Sequence, residues 1–419
     1  MCQNACFDKL YSCNLLIINI EKPLKIRKFA FWHTLFKNSK SILKMKYILF
    51  IALILSVVSC TEHDGYTLTG HVPEAWEGKP VFLALDDTNQ PHFIDSTKIS
   101  GGKFRFLGKF DVPRYCTVSI YLDPNDRLTR SKIVNFSLFI DNAAIEATCD
   151  YSSKYPVFQI SGSGTQTEYQ NYLNEIQPME DDRSKTFRAY GEAYYNSKDL
   201  AKAIDLAKLV TQKRLALRET QINYLKAHPE SAISVKIAQE LSDKNSDLSL
   251  KEIEGLFTCL SPEMQNSEMG QALRATIQGK QVFIGGSFID MELTAADGSK
   301  KKISDFVKPG TTTLIEFWAS WCSPCRGEIP HMRNTYNTYH PKGLNIVSIS
   351  IDSDPKNWHQ ALEEEKMPWE QLIDNTKAAF RAYNLSGVPS SILVNDKGKI
   401  INVNARGGWL DAAMQEIYD

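Results

Sequence analysis

FWASWCSPCRGEIP, Phe317 to Pro330, is the stretch on which the reading of this chain turns. Cys322 and Cys325 stand two residues apart in it. Upstream, TTTLIEFW is an apolar run that reads as a strand, and downstream SPCRGEIPHMRNTYNTYH reads as a helix with Pro330 inside it. The pair therefore falls at a strand-to-helix junction. Ser323 and Pro324 occupy the first turn, where proline costs least. Cys322 stands at the helix N-terminus, where unpaired amides and the positive end of the dipole stabilise a thiolate. Cys325 lies one turn later on the same face, near enough to bond to it. The placement predicts an exposed first sulfur that attacks and a shielded second sulfur that resolves the mixed disulfide. Trp321 supplies a flat apolar shoulder beside the reactive sulfur. A zinc site would want four ligands, and His331 has no partner at ligand spacing. A static structural disulfide would explain the cysteines but not their position.

Two further elements lie outward from this junction. Glu316, six residues before Cys322 on the incoming strand, has Ile315, Phe317 and Trp318 around it. Partial desolvation would raise its pKa and make it a proton acceptor for Cys325; a solvent-facing strand residue is the alternative that simple alternation allows. SGVPSS, Ser386 to Ser391, reads as a tight turn with either a cis or a trans bond at Val388–Pro389. A cis Pro389 could aim the Val388 backbone at a substrate strand. The remaining pattern of residues 280–419 is β-α-β-α-β-β-α, a parallel step followed by a hairpin turned at Asp396–Gly398. It predicts a small mixed sheet between helices.

These residues resemble the membrane-tethered thioredoxin-like proteins of the TlpA/ResA type, which are envelope thiol:disulfide oxidoreductases. EFWASWCSPCRGEIP, NIVSISIDSD with Trp358, MPWEQLID, AYNLSGVPSSILVNDKGKI and RGG carry the resemblance. It implies an α/β thioredoxin fold over 280–419, with Cys322 as nucleophile, Cys325 as resolving thiol, Pro389 as the cis-proline and Glu316 as the buried acid. Residues 352–375 fall where this family inserts extra structure after the second strand. Glu328 matches a position the family often fills with Glu, and no chemistry is assigned to it.

Upstream, residues 61–164 hold short apolar or alternating runs separated by turns (YTLTGHV, PVFLAL, KFRFLGKF, CTVSIYL, NFSLFI, AIEATCD), which argue for an antiparallel β-sandwich or small barrel. Residues 165–279 read as helical. One long amphipathic helix ends near His228–Pro229, with Leu200, Ile204, Leu206, Leu209, Leu215, Ile222 and Leu225 as its apolar positions. A second helix follows at SAISVKIAQEL and shorter ones lie between Leu248 and Gly279. The helical face could serve a coiled-coil partner or pack on the flanking domains. A β-domain of unknown function and a helical segment ahead of such a thioredoxin-like domain resemble a layout found in lipoproteins of Bacteroides-like bacteria.

The start of the chain reads as processing signal. Lys46 precedes YILFIALILSVV, and VVSC resembles a lipoprotein lipobox with Cys60 as the lipidated residue. Residues 1–59 are thus expected to be an over-extended start plus signal peptide, with Met45 as the true initiator; a genuine basic leader is the alternative. Residues 1–44 hold eight Lys/Arg against two Asp/Glu, and Lys46 adds one more positive charge, so the chain's −1 leaves −8 on residues 60–419. A mildly acidic exported protein gives no reason to expect nucleic-acid binding. Outside the cytosol spare cysteines tend to pair; Cys116 and Cys149 could bond across strands or remain buried thiols, and Cys259 reads as a buried thiol.

The expected function is a lipid-anchored, periplasm-facing thiol:disulfide oxidoreductase that reduces protein disulfides in the bacterial envelope and is recharged by a membrane electron donor. It needs no cofactor and no metal. Pro324 matches thioredoxin, which lies near about −270 mV, and Ser323 replaces its Gly, so the reducing direction is expected. Two rivals remain: a non-catalytic binding module with a vestigial redox domain, and a thiol peroxidase. The second needs Pro and Thr where this chain has Ile315 and Ala319.

Overall fold

The computed structural model describes residues 64–86, 92–123, 132–152, 155–244 and 246–419. The expected initiator Met45, the signal peptide and Cys60 lie outside the described residues.

Eight strands open the described chain: β1 (Tyr66–His71), β2 (Pro80–Leu85), β3 (His92–Lys98), β4 (Lys103–Gly108), β5 (Arg114–Tyr121), β6 (Ile133–Ile140), β7 (Ala144–Asp150) and β8 (Val157–Ser161). They form two four-stranded sheets, ordered β4-β1-β7-β8 and β3-β2-β5-β6. Alternation drives this: Leu68, Val81, Leu83, Phe104, Phe106, Cys116, Val118 and Ile145 turn inward from both sheets into one shared core. Neither sheet closes on itself. The expectation of purely antiparallel pairing needs correction, because β1 and β7 run parallel, with Leu68 opposite Ile145. Side-chain alternation is the same for either direction, so the sequence pattern carries no information on it. Cys116 on β5 and Cys149 on β7 are buried thiols in different sheets, and neither takes part in a disulfide.

The helical region begins with a hairpin. Helix α1 (Gly164–Gly191) starts at Ser163, whose hydroxyl accepts the Gln166 amide at 2.9 Å. A π-helical turn, Glu192–Asn196, follows, and Asp199 caps α2 (Leu200–Ala227) by accepting the Lys202 amide at 3.1 Å. Four shorter helices complete the region: α3 (Ala232–Leu241), α4 (Leu250–Cys259), α5 (Pro262–Asn266) and α6 (Glu268–Gln278), each entered through a serine cap. Their core includes Leu217, Leu225, Ile233, Ile237, Ile253, Leu273 and Phe139 of β6. Arg114 of β5, buried, pairs with Glu268 of α6. The helices therefore pack on the β-domain, which is the second of the two sequence expectations for their apolar face.

The C-terminal sheet has seven strands in the order β10-β9-β13-β12-β11-β14-β15. They are β9 (Glu292–Ala295), β10 (Lys300–Lys302), β11 (Thr312–Trp318), β12 (Leu344–Ser350), β13 (Glu370–Ile373), β14 (Ser390–Val394) and β15 (Ile400–Val403). Helices α7 (Ser323–Tyr339), α8 (Pro355–Glu365), α9 (Ala378–Ala382) and α10 (Gly408–Tyr418) complete it. β11, β12 and β13 run parallel, while β14 and β15 return antiparallel. This is the parallel step and hairpin of a thioredoxin fold. Residues 352–375 supply α8 and β13, the extra helix and strand inserted beside β12.

The helical hairpin also grips this domain. The Tyr190 and Trp409 rings lie 4.3 Å apart, the Trp409 indole N–H donates to Thr211 Oγ1 at 3.2 Å, and the Gly408 amide donates to the Tyr190 hydroxyl at 3.3 Å. Gly407 (φ +50°) leaves no room for a side chain: a Cβ would sit 2.5 Å from the Tyr190 hydroxyl oxygen. The small buried residues Ala203 and Ala207 of α2 face these rings.

Candidate active site

Every residue of β11 is buried, as expected of a central strand between two helical layers. It delivers the chain to the sheet's C-terminal edge, where Asp352 holds the next turn. Ser320 donates to its carboxylate twice, from the amide at 2.9 Å and from the hydroxyl at 2.7 Å, and Ser350 donates to it at 2.6 Å. Cys322 is then the N-cap of α7, and its Sγ accepts the Cys325 amide at 3.2 Å. Ser323 and Pro324 open the helix. Cys322 and Cys325 are bonded, with Cα atoms 5.3 Å apart. The helix-end placement that lowers a thiol pKa is therefore present.

One expectation is corrected here. Cys322 keeps 4% of its surface and Cys325 2%, so the first sulfur is not exposed in the disulfide state. The Cys322 Sγ is bonded to Cys325 and turned over the first turn to meet the Cys325 amide. Trp321 instead presents the open surface, at 64%.

Glu316 is 7% exposed, which excludes the solvent-facing alternative. It pairs in register with Ser348 on β12 and Ser391 on β14. Burial pushes its carboxyl up to about 8, against a lowering hydrogen bond from Ser348; the Glu328 carboxylate adds to the rise and Arg406 opposes it. Ser348 Oγ also accepts the Trp369 indole N–H at 2.8 Å. Near neutral pH the carboxyl is mostly protonated, in the range suited to moving a proton either way.

The Val388–Pro389 peptide is cis. Ser390 pairs with Phe317, so Pro389 lies at the end of β11 from which the cysteine motif departs. Val388 is half-buried against the domain core.

Glu328 and Arg406 form a connection that sequence reasoning did not find. Glu328 is buried one turn after Cys325; its carboxylate accepts from Arg406 at 2.8 and 2.9 Å and from the Gly407 amide at 2.8 Å. Arg406 also donates to the Pro389 carbonyl at 3.4 Å. A single ion pair thus ties the active-site helix to the cis-proline loop. Both residues lay within quoted motifs, but only their meeting across 78 residues reveals the role. Glu328→Ala is expected to cost about 1–2 kcal/mol in denaturant unfolding, below the figure for fully buried pairs because Arg406 can regain water.

His331 Nε2 lies 3.0 Å from Asp411 Oδ2. Burial pushes its pKa down, but Asp411, Glu328 and the Gly407 backbone together outweigh burial and hold it above the ordinary histidine value. Among the described residues no group of three or more His, Cys, Asp or Glu could hold a metal ion.

Residues 284–403 match the AhpC/TSA family, and residues 66–169 match a domain of unknown function, DUF4369. The chain is 27% identical over 130 residues to the thiol-disulfide oxidoreductase ResA of Bacillus subtilis, covering 31% of this chain and 72% of that one. A thioredoxin domain of a thiol-disulfide oxidoreductase from Bacteroides vulgatus is 29% identical, covering 33% of this chain and 99% of that chain, with a TM-score of 0.31. The C-terminal domain of a putative thiol-disulfide oxidoreductase from Bacteroides thetaiotaomicron is 30% identical, covering 32% and 95%, with a TM-score of 0.30.

Proposed function

We propose that this chain, which belongs to the thioredoxin-like thiol-disulfide oxidoreductases through residues 284–403, works in the bacterial envelope as a lipid-anchored reductant of protein disulfides. The observation that carries the reading is the Cys322–Cys325 disulfide at the head of α7, which follows the strand that carries the buried Glu316, a carboxyl raised by burial to about 8.

In the reduced protein the Cys322 thiolate attacks one sulfur of a substrate disulfide. A Cys322–substrate bond forms, and the substrate's other sulfur leaves as a thiolate. Cys325 then loses its proton to ionised Glu316 and attacks Cys322 Sγ. The second substrate thiolate departs, and the protein is left with the disulfide found here. A membrane electron donor reverses that oxidation. When it opens the disulfide, protonated Glu316 returns a proton to Cys325. Pro389 and Val388 present backbone to the substrate strand, and Trp321 shields the reacting sulfur. Lipid on Cys60 keeps the domain at the membrane, where stable anchoring takes more than one acyl chain. Peroxide reduction is not part of this reading, because fully buried Ile315 and Ala319 stand where a peroxidase needs Pro and Thr.

Equilibration in dithiol buffers tests the direction. A potential near about −270 mV is expected, and one near about −120 mV would make the protein an oxidant.

A further inference from the structure

A cavity of about 570 Å³ lies along the first turns of α7, and nothing in the proposed exchange chemistry uses it. Pro324, which stands between the two cysteines in the sequence, is part of its lining, so the cavity reaches the residue next to Cys325. Gly327, His331 and Asn334 continue the same wall at helical spacing. A Cβ placed on Gly327 would meet nothing within 4 Å. The opposite wall belongs to another domain: Tyr194, Tyr195 and Leu200 come from the π-helical turn and the start of α2.

Three features say what this space suits. Its half-buried and buried charged groups are paired, Glu328 with Arg406 and His331 with Asp411, and its remaining charge, Lys198, is exposed to solvent. Its aromatic and aliphatic surface is partly unused, with Tyr195 61% and Leu200 37% exposed. The wall is held in place, since the turn carrying it is pinned by the Tyr190–Trp409 contact and the Gly408–Tyr190 hydrogen bond. Its volume falls in the range of small-ligand sites and exceeds one side chain.

We propose that the tip of the helical hairpin completes a substrate subsite, which takes a large apolar or aromatic side chain next to the cystine of an unfolded polypeptide. The proposal rests on the exchange reading and adds the substrate class: disulfides in chain segments whose apolar residues are still uncovered. A folded protein keeps such side chains in its own core and gains nothing here.

Two cystine peptides test it on the full chain, one with Phe and Leu flanking the cysteine and one with Gly and Ser. The wild-type ratio of kcat/KM is expected to favour the apolar peptide about tenfold. Two variants should bring the ratio close to one: Tyr195→Ala with Leu200→Ala, which strips the wall, and Gly327→Leu, which fills the space and improves helix propensity. A general loss of activity cancels in the ratio. A wild-type ratio near one, or a tenfold ratio kept in both variants, overturns the subsite. If neither peptide is reduced at all, the exchange reading has failed, and binding of the same peptides with S-methylated cysteines decides the pocket alone. Tighter binding of the apolar peptide by wild type, lost in the double variant, supports the subsite; equal binding overturns it.

Discussion

Cys325→Ala is expected to turn the protein from a catalyst into a stoichiometric trap, with turnover of a disulfide substrate falling by at least about 10³-fold while one equivalent of substrate stays bonded to Cys322. The two steps of exchange differ in kind. Capture is bimolecular and needs only an accessible thiolate on Cys322. Release is intramolecular, and Cys325 lies one helical turn away with its Cα 5.3 Å from that of Cys322. An adjacent thiol of this sort acts at an effective concentration that no free thiol in solution matches. Removing it should leave capture nearly intact and make release wait for an outside thiol. Mass spectrometry would show the adduct on Cys322 and reducing agent would discharge it. Cys322→Ser should give neither turnover nor adduct, because Cys325 lacks the helix-end placement of Cys322. If Cys325→Ala kept more than a tenth of the wild-type rate, resolution would be running through some other group.

The parts of this site that could be read from sequence are local ones. The cysteine pair, the strand before it and the helix after it span fewer than thirty residues, and backbone geometry at that range follows from residue type. The hairpin of β14 and β15 belongs to the same class, whereas at Val388–Pro389 the residues left cis and trans open and only the resemblance implied the cis bond found. Three of the missed strands share a cause, while β9 and β13, also missed, are interior strands of only four residues each, too short to show a pattern. β3 and β8 are edge strands of the two N-terminal sheets, and β10 is an edge of the C-terminal one. These three bury no residue fully, so they lack the buried alternation that made the edge strand β4 legible. HFIDSTK in β3 and KKK in β10 are largely exposed.

Helix α2 ends where the sequence puts it and Leu225 is buried as expected, but much of its first half turns a different face inward. Its leucines looked like the buried stripe, yet Leu200, Leu209 and Leu215 are exposed while Ala203, Ala207 and Val210 are buried. The partner surface decides this. Around Ala203 and Ala207 the large rings of Tyr190, Tyr194 and Trp409 fill the space, and only small residues fit against them. Nothing in the α2 sequence announces those rings. The Glu328–Arg406 pair and the wall contributed by Tyr194 and Tyr195 are hidden in the same way, since each depends on segments far apart in the chain that meet only after folding.

Glu316 carries the second large effect, on stability against pH. Its folded pKa is about 8, raised by burial from an ordinary carboxyl value near 4.5. The folded state therefore holds a proton that the unfolded chain gives up between those two values. Stability from this group is fully present below about pH 4.5, falls as pH rises, and is gone once pH passes about 8. Each unit in that window is worth about 1.4 kcal/mol, so going from pH 6 to pH 9 should cost the oxidised protein about 2–3 kcal/mol. For a domain of this size that corresponds to a fall of roughly 5–10 °C in Tm. His331, also raised, loses stability in the same direction, so the wild-type slope alone does not isolate Glu316. The difference between wild type and Glu316→Gln does, because glutamine stays neutral throughout. The variant should be close to wild type or less stable at pH 6 and should overtake it by pH 9. Parallel Tm curves for the two proteins would mean that folding does not raise the carboxyl's pKa, and a carboxylate of ordinary acidity is too weak a base to take the Cys325 proton.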